Sequence, residues 1–274
     1  MPFFKKNDIE LYYIKEGEGE PLVFIPGSNT KLQAWNFQIS YFKDKMNVIS
    51  LDNRGTGKSS RPNYPYSLDM FVEDLKNLLD YLKIETKIHL CGSSFGGFIS
   101  LKFVLKYPEK VKTLILCATG AQVDQTGINQ RFKLYEDFVK MDMEQRIKII
   151  LPNLFSRKFR KKLKEDEGLY NQIKNDMNFI TYYIDPPRYE DYINQLNALK
   201  DYDVRDLLQN IKQPALIMVG TKDVLTPLDE SELLHNRLPN SRLEVFNEVG
   251  HGFTIEIAHD VNELMWSFLE KHTD

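Results

Sequence analysis

The chain has 274 residues, of which 42% are hydrophobic and 27% charged, and this composition excludes a disordered or fibrous protein. Its 36 lysines and arginines against 39 aspartates and glutamates give a net charge of −3, which provides no general positive field for a nucleic acid. No apolar stretch reaches the roughly 18 residues that a membrane span needs, and residues 1–8 lack the apolar core of a secretory signal. We therefore expect neither a nucleic acid partner nor a membrane span.

The N-terminal residues predict a β-hairpin at one edge of a sheet. Residues 9–15 alternate weakly between apolar and polar side chains. The segment 17–21, which is rich in glycine and glutamate and ends in proline, is typical of a turn into a strand at 22–25.

Continuous apolar runs bounded by turn residues recur through the first half of the chain, at 22–25, 48–51, 88–91 and 114–118. Such runs are typical of strands that are covered on both faces of a parallel sheet. Residues 68–82 and 95–107 carry apolar side chains at helical spacing, and Pro108 marks the end of the second helix. The alternation of strand and helix predicts a doubly wound, mostly parallel α/β sheet.

The pattern changes between residues 121 and 200, where helical and charged segments replace the strand-like runs. We interpret this region as a helical insertion. Its residues 156–164 contain six basic side chains, which we interpret as a solvated helical face rather than a site for an anionic partner. Strands return at 215–219 and 243–246, and helical segments follow them at 229–238 and 260–271.

Two cysteines, Cys91 and Cys117, are too few for a disulfide framework, and both lie in apolar runs. We therefore expect reduced, buried thiols in a cytoplasmic protein.

The histidines and cysteines lack the short spacing of metal ligands, so no metal is expected. Residues 52–59 end in Gly-Lys-Ser but begin with Asp52 where a phosphate-binding loop needs glycine, so we interpret them as a structural turn. No cofactor is expected.

The sequence Gly92-Ser93-Ser94-Phe95-Gly96 lies between a predicted strand and a predicted helix. A serine hydroxyl is a weak nucleophile near neutral pH, and it needs a fixed, exposed position where a base can take its proton. A sharp turn between strand and helix gives Ser94 that position, because the glycines on either side remove side chains that would collide. The alternative is an ordinary turn, but the placement favours Ser94 as a nucleophile.

Five histidines are candidates for the base: His89, His235, His251, His259 and His272. Of these, only His251 falls in a glycine-flanked loop just beyond a predicted strand. Asp223 follows the strand at 215–219 and therefore emerges at the carboxyl edge of the sheet, where it is suited to orient an imidazole. A surface histidine and a turn aspartate are the alternatives, and Asp124 is the next candidate for the acid.

The order Ser94, Asp223, His251, with these placements, resembles the α/β-hydrolase fold family over nearly the whole chain. The resemblance implies an eight-stranded sheet with an inserted helical cap. The core would then comprise residues 1–120 and 201–274, and the cap, or lid, residues 121–200.

The resemblance also implies an oxyanion hole made of two backbone N–H groups, those of Phe95 and Ser28. Many family members have His-Gly where this chain has Pro26-Gly27, a departure that leaves the backbone donor available. Two such donors stabilise the negative charge that develops on a carbonyl oxygen during acyl transfer.

These residues imply hydrolysis of a small to medium ester, thioester or lactone through an acyl-enzyme. Serine at this turn argues against the family's haloalkane dehalogenases and epoxide hydrolases, which use aspartate there. Hydrolysis of a carbon-carbon bond is an alternative, in which Arg188 or Arg131 would contact a dienolate. A ligand receptor or signalling protein that retains the three residues with little turnover is another.

The cap of the family covers the site and shapes the pocket. We expect an apolar pocket lined by Phe179, Tyr182 and Tyr183 from the insertion and by Trp35 and Phe253 outside it. Packing within the helices is the alternative for the three aromatic residues of the cap. The expected partner is a small-molecule substrate with an apolar acyl or alcohol group, and the oligomeric state stays open.

Overall fold

The structure is a computed structural model and describes residues 3–124, 126, 136–176 and 188–273. Eight strands form one sheet: β1 Phe3–Lys6, β2 Ile9–Glu16, β3 Pro21–Ile25, β4 Asn47–Leu51, β5 Ile88–Ser93, β6 Val111–Cys117, β7 Ala215–Gly220 and β8 Ser241–Phe246. Their order is β1-β2-β4-β3-β5-β6-β7-β8. Strand β2 pairs antiparallel with β1 and β4, and the remaining pairs are parallel. The predicted doubly wound, mostly parallel sheet is therefore confirmed.

Helices cover both faces of this sheet. They are α1 Asn36–Phe42, α2 Leu68–Tyr81, α3 Phe95–Lys106, α4 Met143–Leu154, α5 Arg157–Glu165, α6 Glu167–Asp176, α7 Tyr189–Asn197, α8 Leu228–Arg237, α9 Phe253–Glu256 and α10 Ala258–Leu269. Helices α2, α3 and α8 bury Leu75, Val104 and Leu234 on one face. Helices α1 and α10 bury Phe42 and Met265 on the other. Coverage on both faces explains why the central strands read as continuous apolar runs.

The predicted edge hairpin joins residues 9–16 to the strand before them and not to the strand at 21–25. Strands β1 and β2 form it, and the chain reverses at Asn7, which has a φ of +54°. Strand β4 lies between β2 and β3, so residues 9–15 do not pair with 22–25. The four residues of β1 are too few to show a period of two, and pairing across the sheet depends on contacts that are distant in sequence.

Helices α4 to α7 all lie between β6 and β7, where the sequence predicts a helical insertion. Helices α4 and α5 share a small apolar cluster in which Phe155, Phe159 and Leu163 are buried. Helix α7 is different, because its Leu196 belongs to the main core beside the sheet. Helix α7 therefore joins this region to the core beside the sheet.

Candidate active site

Ser94 lies at a sharp turn between β5 and α3, with φ 52° and ψ −116°. A residue other than glycine seldom adopts a positive φ, so the surrounding contacts must hold this conformation. The Ser94 N–H donates to the carbonyl of Cys117 at 2.9 Å. A Cβ atom at Gly92 would collide with the carbonyl of Gly96, and one at Gly96 with the carbonyl of Ile25. The two glycines therefore permit the turn, as the sequence predicts.

His251 and Asp223 lie on neighbouring loops after β8 and β7, and both are buried. The Nδ1 atom of His251 lies 2.8 Å from Oδ2 of Asp223. The other carboxylate oxygen accepts from the N–H groups of Leu225 and Thr226, each at 2.9 Å. Burial raises the pKa of Asp223, but the nearby His251 and the donated hydrogen bonds outweigh it and hold the pKa below its usual value. The carboxylate is thus suited to orient the imidazole, with Nε2 left for the substrate side.

The loop that carries the histidine is hydrogen-bonded to the junction of α4 and α5. The Gly252 N–H donates to the Leu154 carbonyl at 2.7 Å. The Glu256 carboxylate accepts from the N–H groups of Gly250 at 3.3 Å and Ser156 at 3.1 Å. These contacts fix the loop against the inserted helices as well as against the sheet.

The two predicted oxyanion donors flank the same cavity as Ser94. Helix α3 begins at Phe95, so the Phe95 N–H has no carbonyl one turn before it to accept its hydrogen. Ser28 lies in the loop after β3, and its N–H has no protein acceptor among the described residues. Both donors are therefore available for an oxygen atom of a ligand.

A cavity of about 800 Å³ opens beside these groups, and Ser94 and His251 both line it. Its size falls within the range of small-molecule sites. Trp35 contributes to the wall and is almost fully buried. Much of the remaining apolar wall comes from the region between β6 and β7: Phe138, Met141, Ile150, Leu154, Leu196 and Leu199.

One predicted pocket residue lies elsewhere, and three cannot be placed. Phe253 is fully buried in the core beside Phe246, with ring centroids 5.4 Å apart, and it does not line the cavity. Helix α9 begins at Phe253 and directs its side chain away from the cavity, whereas the following residues Thr254 and Ile255 face it. Phe179, Tyr182 and Tyr183 lie outside the described residues.

Sequence reasoning missed several residues around the site. The Thr226 hydroxyl donates to Oδ2 of Asp223 at 2.9 Å, beside the histidine. The pattern Asp-x-x-Thr before Pro227 is a usable signal, because an aspartate commonly accepts from N–H groups two and three residues later. Glu230 also lines the cavity, and burial raises its pKa. No local motif indicates Glu230, since its placement follows from the packing of α8.

Other residues that the sequence raised as candidates have structural partners. The Asp52 carboxylate accepts from the N–H groups of Leu32 at 2.8 Å and Lys58 at 2.9 Å, in keeping with a structural turn. Arg188 forms an ion pair with Asp191 at 2.8 Å and does not line the cavity. Arg131 and the side chains around it lie outside the described residues.

Within residues 3–124, 126, 136–176 and 188–273, no group of three or more histidine, cysteine, aspartate or glutamate side chains is arranged to hold a metal ion. The helices in those same ranges include none with the length and apolar character that crossing a bilayer requires. Both cysteines are buried and free.

Comparison with known proteins supports the architecture. The chain is 29% identical to 3-oxoadipate enol-lactonase 2 from Acinetobacter baylyi over 268 residues, which covers 97% of this chain and 95% of the relative. It is 27% identical to 2-hydroxy-6-oxo-6-phenylhexa-2,4-dienoate hydrolase from Comamonas testosteroni, covering 97% of this chain and 93% of the relative.

Among solved structures, an esterase from Exiguobacterium antarcticum superimposes with a TM-score of 0.81 at 27% identity, covering 96% of both chains. The sequence model of the alpha/beta hydrolase fold family matches residues 20–256. That match spans the sheet from β3 to β8 and includes the Ser94 turn, the Asp223 loop and the His251 loop. The chain therefore belongs to the alpha/beta hydrolase fold family.

Proposed function

We propose that this hydrolase cleaves a small to medium ester, thioester or lactone through an acyl-enzyme, with Ser94 as nucleophile, His251 as base and Asp223 as the acid that orients the base. One observation carries the proposal. Ser94, held at a positive φ, opens into the same cavity as His251, and the Nδ1 atom of that histidine is bound by Asp223.

The proposed reaction begins when Nε2 of His251 takes the hydroxyl proton of Ser94 and Oγ attacks the carbonyl carbon. The carbonyl oxygen becomes negative and accepts from the N–H groups of Ser28 and Phe95, each worth on the order of 3 to 4 kcal/mol in the transition state. Collapse of this intermediate breaks the bond to the leaving oxygen or sulfur, which receives the proton from the imidazolium of His251. The acyl group stays on Ser94.

Water completes the cycle in the second half of the reaction. His251 removes a proton from a water molecule, and the resulting hydroxide attacks the acyl carbon of the Ser94 ester. The new tetrahedral intermediate collapses, the proton returns to Oγ of Ser94, and the carboxylic acid leaves. For a lactone the leaving alcohol remains attached to the acyl chain, so the single product is a hydroxy acid or its enol equivalent.

We further propose that residues 121–200 form a cap, or lid, over a core of residues 1–120 and 201–274. Support comes from α4 and α7, which provide Leu154, Leu196 and other apolar wall residues of the cavity. A substrate with an apolar acyl or alcohol group fits such a wall. The free, buried thiols Cys91 and Cys117 accord with the reducing conditions of a cytoplasmic location.

Hydrolysis of a carbon-carbon bond is the second candidate. The relative named 2-hydroxy-6-oxo-6-phenylhexa-2,4-dienoate hydrolase aligns with 97% of this chain at 27% identity. The dienoate in that name carries a carboxylate, for which a positive side chain is a natural partner. Arg188 is committed to Asp191 and lies off the cavity wall. The esterase and lactonase relatives therefore agree better with the described part of the site.

The experiment is hydrolysis of p-nitrophenyl acetate and p-nitrophenyl butyrate by the wild type, Ser94→Ala and the matched control Ser93→Ala. We expect the wild type to turn over and Ser94→Ala to lose at least about 10⁴-fold in kcat, because the nucleophile is removed. Ser93→Ala changes the neighbouring hydroxyl and should stay within about tenfold of the wild type. Wild-type turnover that survives in Ser94→Ala, or a wild type that binds these esters without hydrolysing them, would contradict the proposal.

A further inference from the structure

Gln195, on helix α7, is a buried polar residue that the proposed reaction does not use directly. Its side chain reaches the loop of residues 27–30, which supplies the predicted oxyanion donor Ser28. Oε1 of Gln195 accepts from the Asn29 N–H at 3.0 Å and from the Ser28 hydroxyl at 3.2 Å. These hydrogen bonds join residues that are 166 and 167 positions apart in sequence.

The orientation of the Gln195 amide follows from its partners. Nε2 donates to the carbonyl of Arg54 at 3.2 Å. A backbone carbonyl only accepts and the Asn29 N–H only donates, so reversing the amide would break both hydrogen bonds. Arg54 is itself held in place, because its buried guanidinium donates two hydrogen bonds of 2.7 Å to Asp74. Gln195 therefore connects the loop to a fixed part of the core.

The 27–30 loop includes a residue in a costly backbone conformation, which contacts from outside the loop help to hold. Asn29 is fully buried and has a φ of +52°, a conformation that a side chain other than glycine adopts at a cost. Within the loop, the Thr30 N–H reaches the Gly27 carbonyl only at 3.3 Å, and the Thr30 hydroxyl donates to the same carbonyl at 2.9 Å. The hydrogen bond from the Asn29 N–H to Gln195 fixes the peptide unit adjacent to the one that carries the Ser28 N–H.

We propose that Gln195 is a positioning residue that aims the Ser28 N–H at the developing oxyanion, so that this donor depends on how α7 is docked. The inference rests on the proposed function of the site. An oxyanion donor acts only when it is preorganised, and a displacement of about 1 Å can cost on the order of 100-fold in rate. Leu196 of α7 and the nearby Leu199 line the cavity, so the segment that forms part of the cavity wall also supports the loop with the Ser28 N–H.

The test compares Gln195→Met, which has a similar shape but no amide oxygen, with the control Asn197→Leu, which also replaces an amide on α7 by an apolar side chain. Asn197 is partly buried, and its side chain forms no hydrogen bond with the 27–30 loop or with any other described residue. We expect Gln195→Met to lose about 10- to 100-fold in kcat with KM within about threefold, because the negative charge on the carbonyl oxygen develops in the transition state and is absent from the bound substrate. Asn197→Leu should keep kcat within about threefold of the wild type.

Hydrogen exchange on the full chain provides a readout that is independent of turnover. Amide exchange in residues 27–30 should be faster in Gln195→Met and unchanged in Asn197→Leu. Gln195→Glu keeps an acceptor for the Asn29 N–H, so its exchange in this loop should stay near that of the wild type. If Gln195→Met does not fold, Gln195→Ala, which also removes the acceptor, serves in its place.

The inference is overturned if exchange in residues 27–30 is unchanged in Gln195→Met, if kcat stays within twofold of the wild type, or if KM rises while kcat does not fall. A wild type that hydrolyses no ester would contradict the proposed function instead. In that case the exchange measurement still decides whether Gln195 holds the loop.

Discussion

The sheet and the helices between β6 and β7 are held in place by different means. Both faces of the sheet carry extensive apolar cores in which residues such as Leu90 and Met218 are fully buried. Helices α4 and α5 share a cluster with only three buried side chains among the described residues, and hydrogen bonds dock this region on the histidine loop. The proposed reactive groups therefore lie on the most extensively packed part of the described structure, whereas much of the cavity wall belongs to a more lightly packed part.

Asp223→Asn tests whether the site at the carboxyl edge of the sheet can lose its activity while the protein stays folded. The NH2 group of asparagine cannot accept a hydrogen bond from Nδ1–H of His251, and the neutral amide does not stabilise the imidazolium. We therefore expect kcat to fall on the order of 10³- to 10⁴-fold. The hydrogen bonds from the N–H groups of Leu225 and Thr226 can persist on the remaining amide oxygen. The thermal midpoint should therefore change little.

Ester hydrolysis and thermal unfolding of wild type and Asp223→Asn measure the two effects separately. Nearly unchanged kcat would show that another carboxylate fills this role, and Asp124, which lines the cavity, would be the first to replace by asparagine.

A pair of substitutions from leucine to alanine compares the two regions directly. Leu90 on β5 is fully buried between packed layers, so Leu90→Ala should cost about 3 to 5 kcal/mol of unfolding free energy. Leu163 on α5 is also buried but belongs to the small cluster, so Leu163→Ala should cost about 2 kcal/mol, near the low end for such a change. Chemical denaturation measures both; equal losses would contradict the difference in packing.

Thiol chemistry offers a finer comparison, because it probes the sheet interior without altering it. Burial raises the pKa of Cys91 well above its usual value, so its thiolate is scarce in the folded state. We expect neither Cys91 nor Cys117 to react with a colorimetric disulfide reagent at neutral pH until the sheet unfolds. Prompt reaction of either thiol in the native protein, measured beside a denatured control, would show that the sheet opens more readily than its packing indicates.

The central fold and the candidates for the triad could be predicted because short stretches of the sequence carry the patterns that indicate them. The apolar run at 88–91 extends to Ser93 in the structure, and the glycines at 92 and 96 indicate the turn. The hairpin partner was not predictable in the same way, because β4 enters between β2 and β3 only through pairing across the sheet.

The walls of the site were harder to predict than its reactive groups. Phe253 follows His251 by two residues, yet the start of α9 turns its side chain into the core. Gln195 has no motif, and its role depends on a contact with a loop 166 residues earlier. Contacts of this kind follow from the docking of whole elements, which short patterns in the sequence do not encode.

The most direct test of the central claim is covalent labelling of the native protein with a fluorophosphonate, followed by mass spectrometry of the intact chain and its peptides. The reagent is attacked by an activated serine, and the phosphoryl oxygen of the adduct takes the place of the oxyanion. The account predicts one adduct, on Ser94, that is absent from Ser94→Ala and forms far more slowly in His251→Ala. An unlabelled wild type, or a single adduct on another residue, would contradict it.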